Sequence, residues 1–282
     1  MKRIIRILIP LFLIGIPVLG MELGFKLSGG YAFLADNSIM RSLEDWTEWK
    51  KMEAEGNPNW QYLGQDIKSL HSGIHLEGEL LFSFSQRLGI SVGTGYIYSD
   101  LQESETEVLV QRPYGVLSQV HPITVTAYPV ILSGYYFIPV KNKLNIYIRG
   151  GAGMAWAKYV NREATKFESS NKYNYFRLES ASAKGPVLLG GLGFVYETDM
   201  GVRFFCEGLY RRAKIRGFSG ENELQEKGIL YYFEEYTPNL DFWQTKIKIF
   251  AKTPTGANFR SVSEAEVDFS GLSVKIGFII RF

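Results

Sequence analysis

The chain holds one cysteine, Cys206, among 282 residues, which excludes an intramolecular disulfide framework and any cysteine zinc cluster. Histidine is almost as scarce: His71, His75 and His121 are the only three, and no zincin-type histidine pair, P-loop or EF-hand loop is present. Neither sign of charge dominates, with 31 Lys and Arg against 29 Asp and Glu, so no basic field points to nucleic acid. After Gly20 no apolar run is long enough to cross a bilayer as a helix, and no helical stripe extends far enough to organise a fold. Neither a cofactor nor a metal is expected from these residues.

Glycine and aromatic residues are abundant instead, with 29 Gly, 19 Phe and 17 Tyr, a mixture that favours many short strands over helices. Met1 to Gly20 stands apart: basic Lys2, Arg3 and Arg6, an apolar stretch from Ile7 to Pro17, then Val18, Leu19 and Gly20 before a cleavage-type position. That order predicts a secretory signal peptide, leaving residues 21–282 as one domain. Position 21 is Met rather than Cys, so a lipid-anchored form is not indicated. A retained N-terminal anchor is the alternative, but the apolar core is short of the ~20 residues a spanning helix needs.

A period of two recurs through the rest. It predicts strands over Met21 to Leu34, Ile74 to Phe84, Gly89 to Ser99, Ile123 to Phe137, Leu144 to Trp156, Val187 to Glu197, Val202 to Arg211 and Phe269 to Phe282. Pro129 cannot donate to a ladder, so a bulge is expected there. The connections alternate between long and short. Ala35 to Ser72, Asp100 to Pro122, Asn161 to Gly185 and Arg216 to Val267 are the long ones, and the other three have about four residues each. Short turns on one side and long loops on the other are the mark of a transmembrane barrel.

Strand parity supports the same reading. One face of each strand carries no charge between its ends, while Glu22, Lys26, Glu77, Glu79, Arg149, Glu197, Arg203, Glu207, Arg211, Lys275 and Arg281 all fall on the other. A soluble barrel would show the reverse. Lipid outside and a polar lumen explain it, because a charge facing the bilayer midplane costs roughly 2–4 kcal/mol. Aromatics gather at both strand ends, with Phe84, Tyr136, Tyr196 and Phe282 near the short turns and Tyr31, Phe33, Tyr96, Tyr98, Trp156 and Tyr210 near the long loops. The predicted fold is an all-β, antiparallel up-and-down transmembrane barrel of eight strands. Ten strands become possible if Ile229–Phe233 and Lys246–Phe250 join the wall rather than form a hairpin above it.

The pattern from Met21 to Phe282 resembles a small eight-stranded bacterial outer-membrane barrel of the OmpA/OmpX/OmpW type. The ending Phe278-Ile279-Ile280-Arg281-Phe282 resembles the signal that such proteins present to the barrel-assembly machinery, which implies that role for Phe278, Ile280 and Phe282. Leu144 to Trp156, with its Gly150-Gly151-Ala152-Gly153 core, is similar to the glycine-rich central strand of that family. The resemblance implies a monomer in the bacterial outer membrane whose partners are outer-membrane lipid and, during biogenesis, the assembly machinery. No peptidoglycan-binding domain is expected beyond the last strand.

An eight-stranded barrel is just wide enough for side chains to fill. Lys26, His75, Glu77, Glu79, Arg149, Arg203, Glu207, Arg211 and Lys275 are expected to pair into a lumen network facing Gly93, Gly95, Gly151, Gly153, Gly191 and Gly193. The network reads either as structural filler or as a narrow polar pathway or small-molecule site. In the first long loop, Ser42 and Asp45 suggest a capping box for a short helix whose Leu43, Trp46 and Trp49 stripe packs on the barrel rim or lipid interface, or binds a partner. His121 is expected to face outward, with no outward Ser and acid at its level, so an enzyme is not expected. The functional expectation is a structural or passive small-solute permeation role. Adhesion or recognition through loops with an unnamed ligand is the alternative, and lipid A modification a remote one.

Overall fold

A computed structural model describes residues 21–35, 38–168 and 173–282. The expected signal peptide, Met1 to Gly20, lies outside the described residues. Eight strands carry the architecture: β1 (Glu22–Phe33), β2 (Ser72–Ser83), β3 (Leu88–Leu101), β4 (Ile123–Lys141), β5 (Leu144–Phe167), β6 (Asn174–Glu197), β7 (Val202–Arg212) and β8 (Gly271–Arg281). Each pairs antiparallel with its successor. The last returns to the first over Gly24↔Arg281 to Ala32↔Ser273, which closes the ring. The hairpin of Lys227–Thr237 and Phe242–Phe250 lies outside that ring, joined to β6 through Ser219–Glu221, so the wall has eight strands and not ten.

Side-chain alternation turns the wall inside out relative to a soluble barrel. Leu76, Leu80, Val92, Leu132, Ile148, Leu192, Phe204 and Ile276 all stand exposed on the outside, whereas Lys26, Glu77, Glu79, Arg149, Glu207 and Lys275 are buried inside. An exposed aliphatic belt around a charged interior is stable only with hydrocarbon outside, and the closed ladder satisfies the backbone there.

The bulge expected at Pro129 does not form. Pairing of β3 with β4 runs to Thr94↔Val130 and resumes at Ile97↔Ala127 in the same register, while Pro129 stays in step with Ala155 on β5. Gly95 makes this possible: a Cβ there would lie 3.2 Å from Pro129 Cγ, so the ring occupies space that a side chain would fill. The third long loop is also absent as a loop. β5 and β6 remain paired from Leu144↔Tyr196 to Thr165↔Asn174, well beyond Trp156. The outward apolar alternation ends at Trp156 because the strands leave the lipid there, not because they end.

Above the membrane belt these long strands seed a crown. Gly115–Val120 pairs onto β5, Thr106–Arg112 onto it, and Gln61–Ile67 onto that. On the other side Ser219–Glu221 pairs onto β6, followed by Lys227–Thr237 and Phe242–Phe250. The main path of the crown sheet runs out at Gln61–Ile67 on one side and Phe242–Phe250 on the other, with Phe259–Glu264 paired onto Lys227–Thr237 off that path, and helix α1 (Ser38–Glu55) packs against both ends.

Two expectations about α1 are corrected. The helix starts at Ser38, so Ser42 and Asp45 lie inside it and do not cap it. They bond the edge strand instead: Ser42 Oγ donates to the Thr245 carbonyl at 3.3 Å and Asp45 Oδ2 accepts from the Thr245 amide at 2.9 Å. The stripe of Leu43 and Trp46, with Trp49 partly buried, faces neither lipid nor a free rim. It belongs to a core with Ile39, Ile123, Val125, Tyr159, Ile247 and Ile249, which covers the long-loop mouth of the barrel. The crown supplies enough apolar surface to bury the stripe, and the sequence of the loop alone does not reveal it.

Inside the wall the fit depends on glycine. A Cβ at Gly193 would come within 2.3 Å of Tyr147 Cζ, and that ring is packed against Tyr135, Phe137 and Phe205. At Gly208, on the lipid side, a Cβ would meet nothing within 4 Å. Gly193→Ala should therefore lower the unfolding free energy of the lipid-reconstituted protein by about 1–3 kcal/mol, with Gly208→Ala nearly neutral, as read from urea titration of the folded gel band. Equal effects at both positions would refute this account.

Candidate functional site

The lumen contains one compact charged layer. Arg149 on β5 reaches across the barrel and grips Glu77 of β2 with both terminal nitrogens, at 2.6 and 3.2 Å, and Glu207 of β7 at 3.1 Å. Its Nη2 also lies 3.3 Å from Glu79. Lys26 of β1 sits between Glu79 at 3.0 Å and Glu207 at 2.8 Å. Lys275 of β8 lies 3.0 Å from Glu207 and also pairs with Glu77. Three cations thus meet three carboxylates with no net charge, and none of the six residues is more than 5% exposed. Charges this deep are tolerable only when paired and hydrogen-bonded.

Hydroxyl groups add further hydrogen bonds to the layer. Tyr135 donates to Glu79 at 2.6 Å, Tyr147 to Glu207 at 2.8 Å and Ser91 to Glu79 at 2.5 Å, while Ser133 Oγ accepts from Arg149 Nε at 3.2 Å. The Lys26 ammonium also lies 4.5 Å from the centre of the Phe205 ring. These partners were not among the sequence-derived residues, although alternation puts Tyr147 two positions from Arg149 on the same face.

The other expected members do not join the layer. Arg203 pairs with Glu197 at 2.6 Å, and Arg281 with Glu22 at 2.6 Å, both at the short-turn mouth. Arg211 has no carboxylate partner among the described residues; it donates to the Phe269 carbonyl at 2.7 Å and to Ser273 Oγ at 3.4 Å, the hydroxyl that also contacts His75 Nδ1 at 3.1 Å. The charged layer is enclosed on both sides. Toward the short turns lie Leu81, Phe137, Val195, Phe205 and Ile279, and toward the crown the core that includes Ile97, Ile131, Val187, Leu189 and Leu209. The lumen is therefore not polar throughout, because odd-numbered residues of β4 such as Ile123, Val125 and Ile131 line it with aliphatic groups. A vestibule of about 670 Å³, lined by Glu22, Ser83, Glu197, Arg203 and Arg281 among others, lies at the short-turn mouth.

The same parity corrects His121. It is buried in the crown rather than facing lipid, with its ring 5.1 Å from Trp46. Both faces of β4 are apolar, so the sequence there does not distinguish inside from outside. Around His121 lies a second polar cluster: Glu163 accepts from Trp46 Nε1 at 3.1 Å and pairs with Arg177 at 2.6 Å, and Glu179 accepts from Asn161 at 3.4 Å and the Ile249 amide at 3.3 Å. Burial pushes Glu179 up to about 7 against the opposing pull of Arg177, and burial holds His121 down at about 4.

The expected interface aromatics Tyr31, Phe33, Trp156 and Tyr210 are exposed on the outer wall near the crown, and Phe84 and Tyr196 near the short turns. Tyr96 stacks on Tyr98 and meets Tyr128, a girdle member absent from the sequence reading, at a tilt with ring centres 5.2 Å apart. Phe278, Ile280 and Phe282 share the outward face at the end of the chain, with Phe278 and Ile280 on β8 against β1.

No family model matches the chain, and no curated protein matches it. Among solved structures it is similar to the outer membrane protein OprG from Pseudomonas aeruginosa, at 15% identity over 92% of this chain and 95% of that one, with a TM-score of 0.38. A lower likeness, at 9% identity and TM-score 0.21, is to the RagAB peptide transporter, over 92% of this chain and 40% of that one.

Two outcomes follow from these clusters. Lys26→Met should cost about 3–5 kcal/mol by leaving carboxylates unpaired, and Lys26→Met combined with Glu207→Gln should cost less than the sum of the single changes in a denaturation cycle. In the crown, the unfolded Glu179 titrates near 4.3, so the folded state holds the extra proton and stability falls as pH rises from there to about 7. The proteolytic resistance of Glu179→Gln relative to the parent should therefore grow between pH 5 and pH 8. A constant ratio would exclude this linkage.

Proposed function

We propose that the protein is a bacterial outer-membrane barrel with a structural role, a sealed wall plug that carries an ordered crown outside the cell. The aliphatic outer belt, the two aromatic girdles and the closed ladder support that location. The observation that carries the structural role is the charged layer itself: its six groups are neutralised in place and packed between an aromatic floor and an aliphatic ceiling. A permeation pathway needs polar groups that can exchange partners with water along its length. These groups face one another instead, and α1 covers the outer mouth.

Recognition by the crown is the second reading. Its hairpin tips present Tyr114 at 94% exposure and Leu224 at 72%, held on paired strands rather than on loose loops. Phe278, Ile280 and Phe282 fit the proposed assembly signal because they form an apolar terminal row beside the seam between β8 and β1.

The test is conductance of the refolded protein in a planar bilayer, with heat-dependent gel mobility confirming the folded barrel. Silence at moderate voltage is expected. Reproducible unitary steps abolished by Glu79→Ala would overturn the structural role in favour of permeation.

A further inference from the structure

The outer wall changes character abruptly where β5, β6 and β7 leave the lipid belt. On β5 the outward position after Trp156 is Lys158; on β7 the one after Tyr210 is Arg212; and Lys184 on β6 lies directly beside Trp156 in the ladder. All three basic residues are exposed, and among the described residues none makes an ion pair or a hydrogen bond. Their neighbours differ: Lys214 pairs with Glu266 and Asp268, each at 3.3 Å, and Arg216 with Glu266 at 2.5 Å. Three uncompensated cations therefore occupy three consecutive strands immediately above an aromatic anchor.

Spacing limits what they can hold. Lys158 and Lys184 stand one strand apart and two residues out of register, about 8 Å between backbones at strand spacings of ~4.8 Å and ~3.3 Å per residue. Arg212 pairs with Leu188, four residues along β6 from Lys184, which places it about 14 Å away on the same spacings. Two lysines can close on one phosphate, and the arginine fork can take a second bidentately. Trp156, beside Lys184 in the ladder, anchors the wall next to the two lysines, and Tyr210 does so two residues below Arg212 on β7.

We propose that Lys158, Lys184 and Arg212 form a clamp for the phosphates of an acidic, doubly phosphorylated lipid in the outer leaflet. This deepens the reading of the chain as an outer-membrane barrel and rests on it. The occupant is a lipid because the site lies on the lipid-facing wall at the level of the headgroups, with aliphatic Leu188 beneath it.

The test uses the full barrel in phosphatidylcholine nanodiscs doped with diphosphoryl lipid A, with adducts retained after release counted by native mass spectrometry. Heat-dependent gel mobility is checked first, and its loss would count against the barrel and not the clamp. The parent should retain diphosphoryl lipid A, and the variant K158Q/K184Q/R212Q should retain at least about tenfold less. The variant K214Q/R216Q, whose cations are already paired, should retain as much as the parent. Equal retention by the triple variant, equal loss in the double variant, or displacement by millimolar inorganic phosphate would each overturn the proposal.

Discussion

In hydrocarbon a backbone amide or carbonyl has no partner but another backbone group, and the rest of this structure follows from meeting that demand with strands. The ring must close, so β1 and β8, from opposite ends of the described chain, are forced together. Once it closes, outward positions become solvent-like toward lipid and inward positions become a core of fixed width. Eight strands give a bore that side chains can fill. Whatever charge the sequence places inside must then be neutralised by charge on other strands, because water does not reach it.

The interior meets this by layering. Arg149, Lys26 and Lys275 come from three different strands, Glu77 with Glu79 and Glu207 from two more, and the hydroxyls that complete them from β3, β4 and β5. No local pair could do this, since neighbours on one face of a strand point the same way. The layer therefore works as a lock on register: slipping any contributing strand by one residue would turn its charged side chain into lipid. The aliphatic ceiling above it and the aromatic floor below keep competing water out and strengthen each ion pair.

Period-two patterning made the wall legible in the sequence, because lipid imposes a harsher rule on outward residues than water does. Lys26, Glu77, Glu79, Arg149, Glu207 and Lys275 are placed inward by parity alone. Three things were not legible, each for a physical reason. The polar continuation of β5 and β6 past Trp156 loses the lipid rule and so looks like a loop. β4 is apolar on both faces because its inner face lines the ceiling, which hid the orientation of His121. The burial of α1 depends on a crown assembled from three separate connections, and no single segment encodes it.

The hydrogen bonds between α1 and Thr245 join residues about two hundred positions apart in sequence. In an open chain that contact would demand a large loss of loop entropy. Here the pairing of β1 with β8, extended by the bond from the Ala35 amide to the Ser270 carbonyl, has already brought the two regions together. Barrel closure and crown closure are thus coupled in order: the helix can find its edge strand cheaply only after the seam has formed. Any factor that delays the seam leaves both the crown edge and the apolar face of α1 uncovered, and exposes them at the same moment to aggregation.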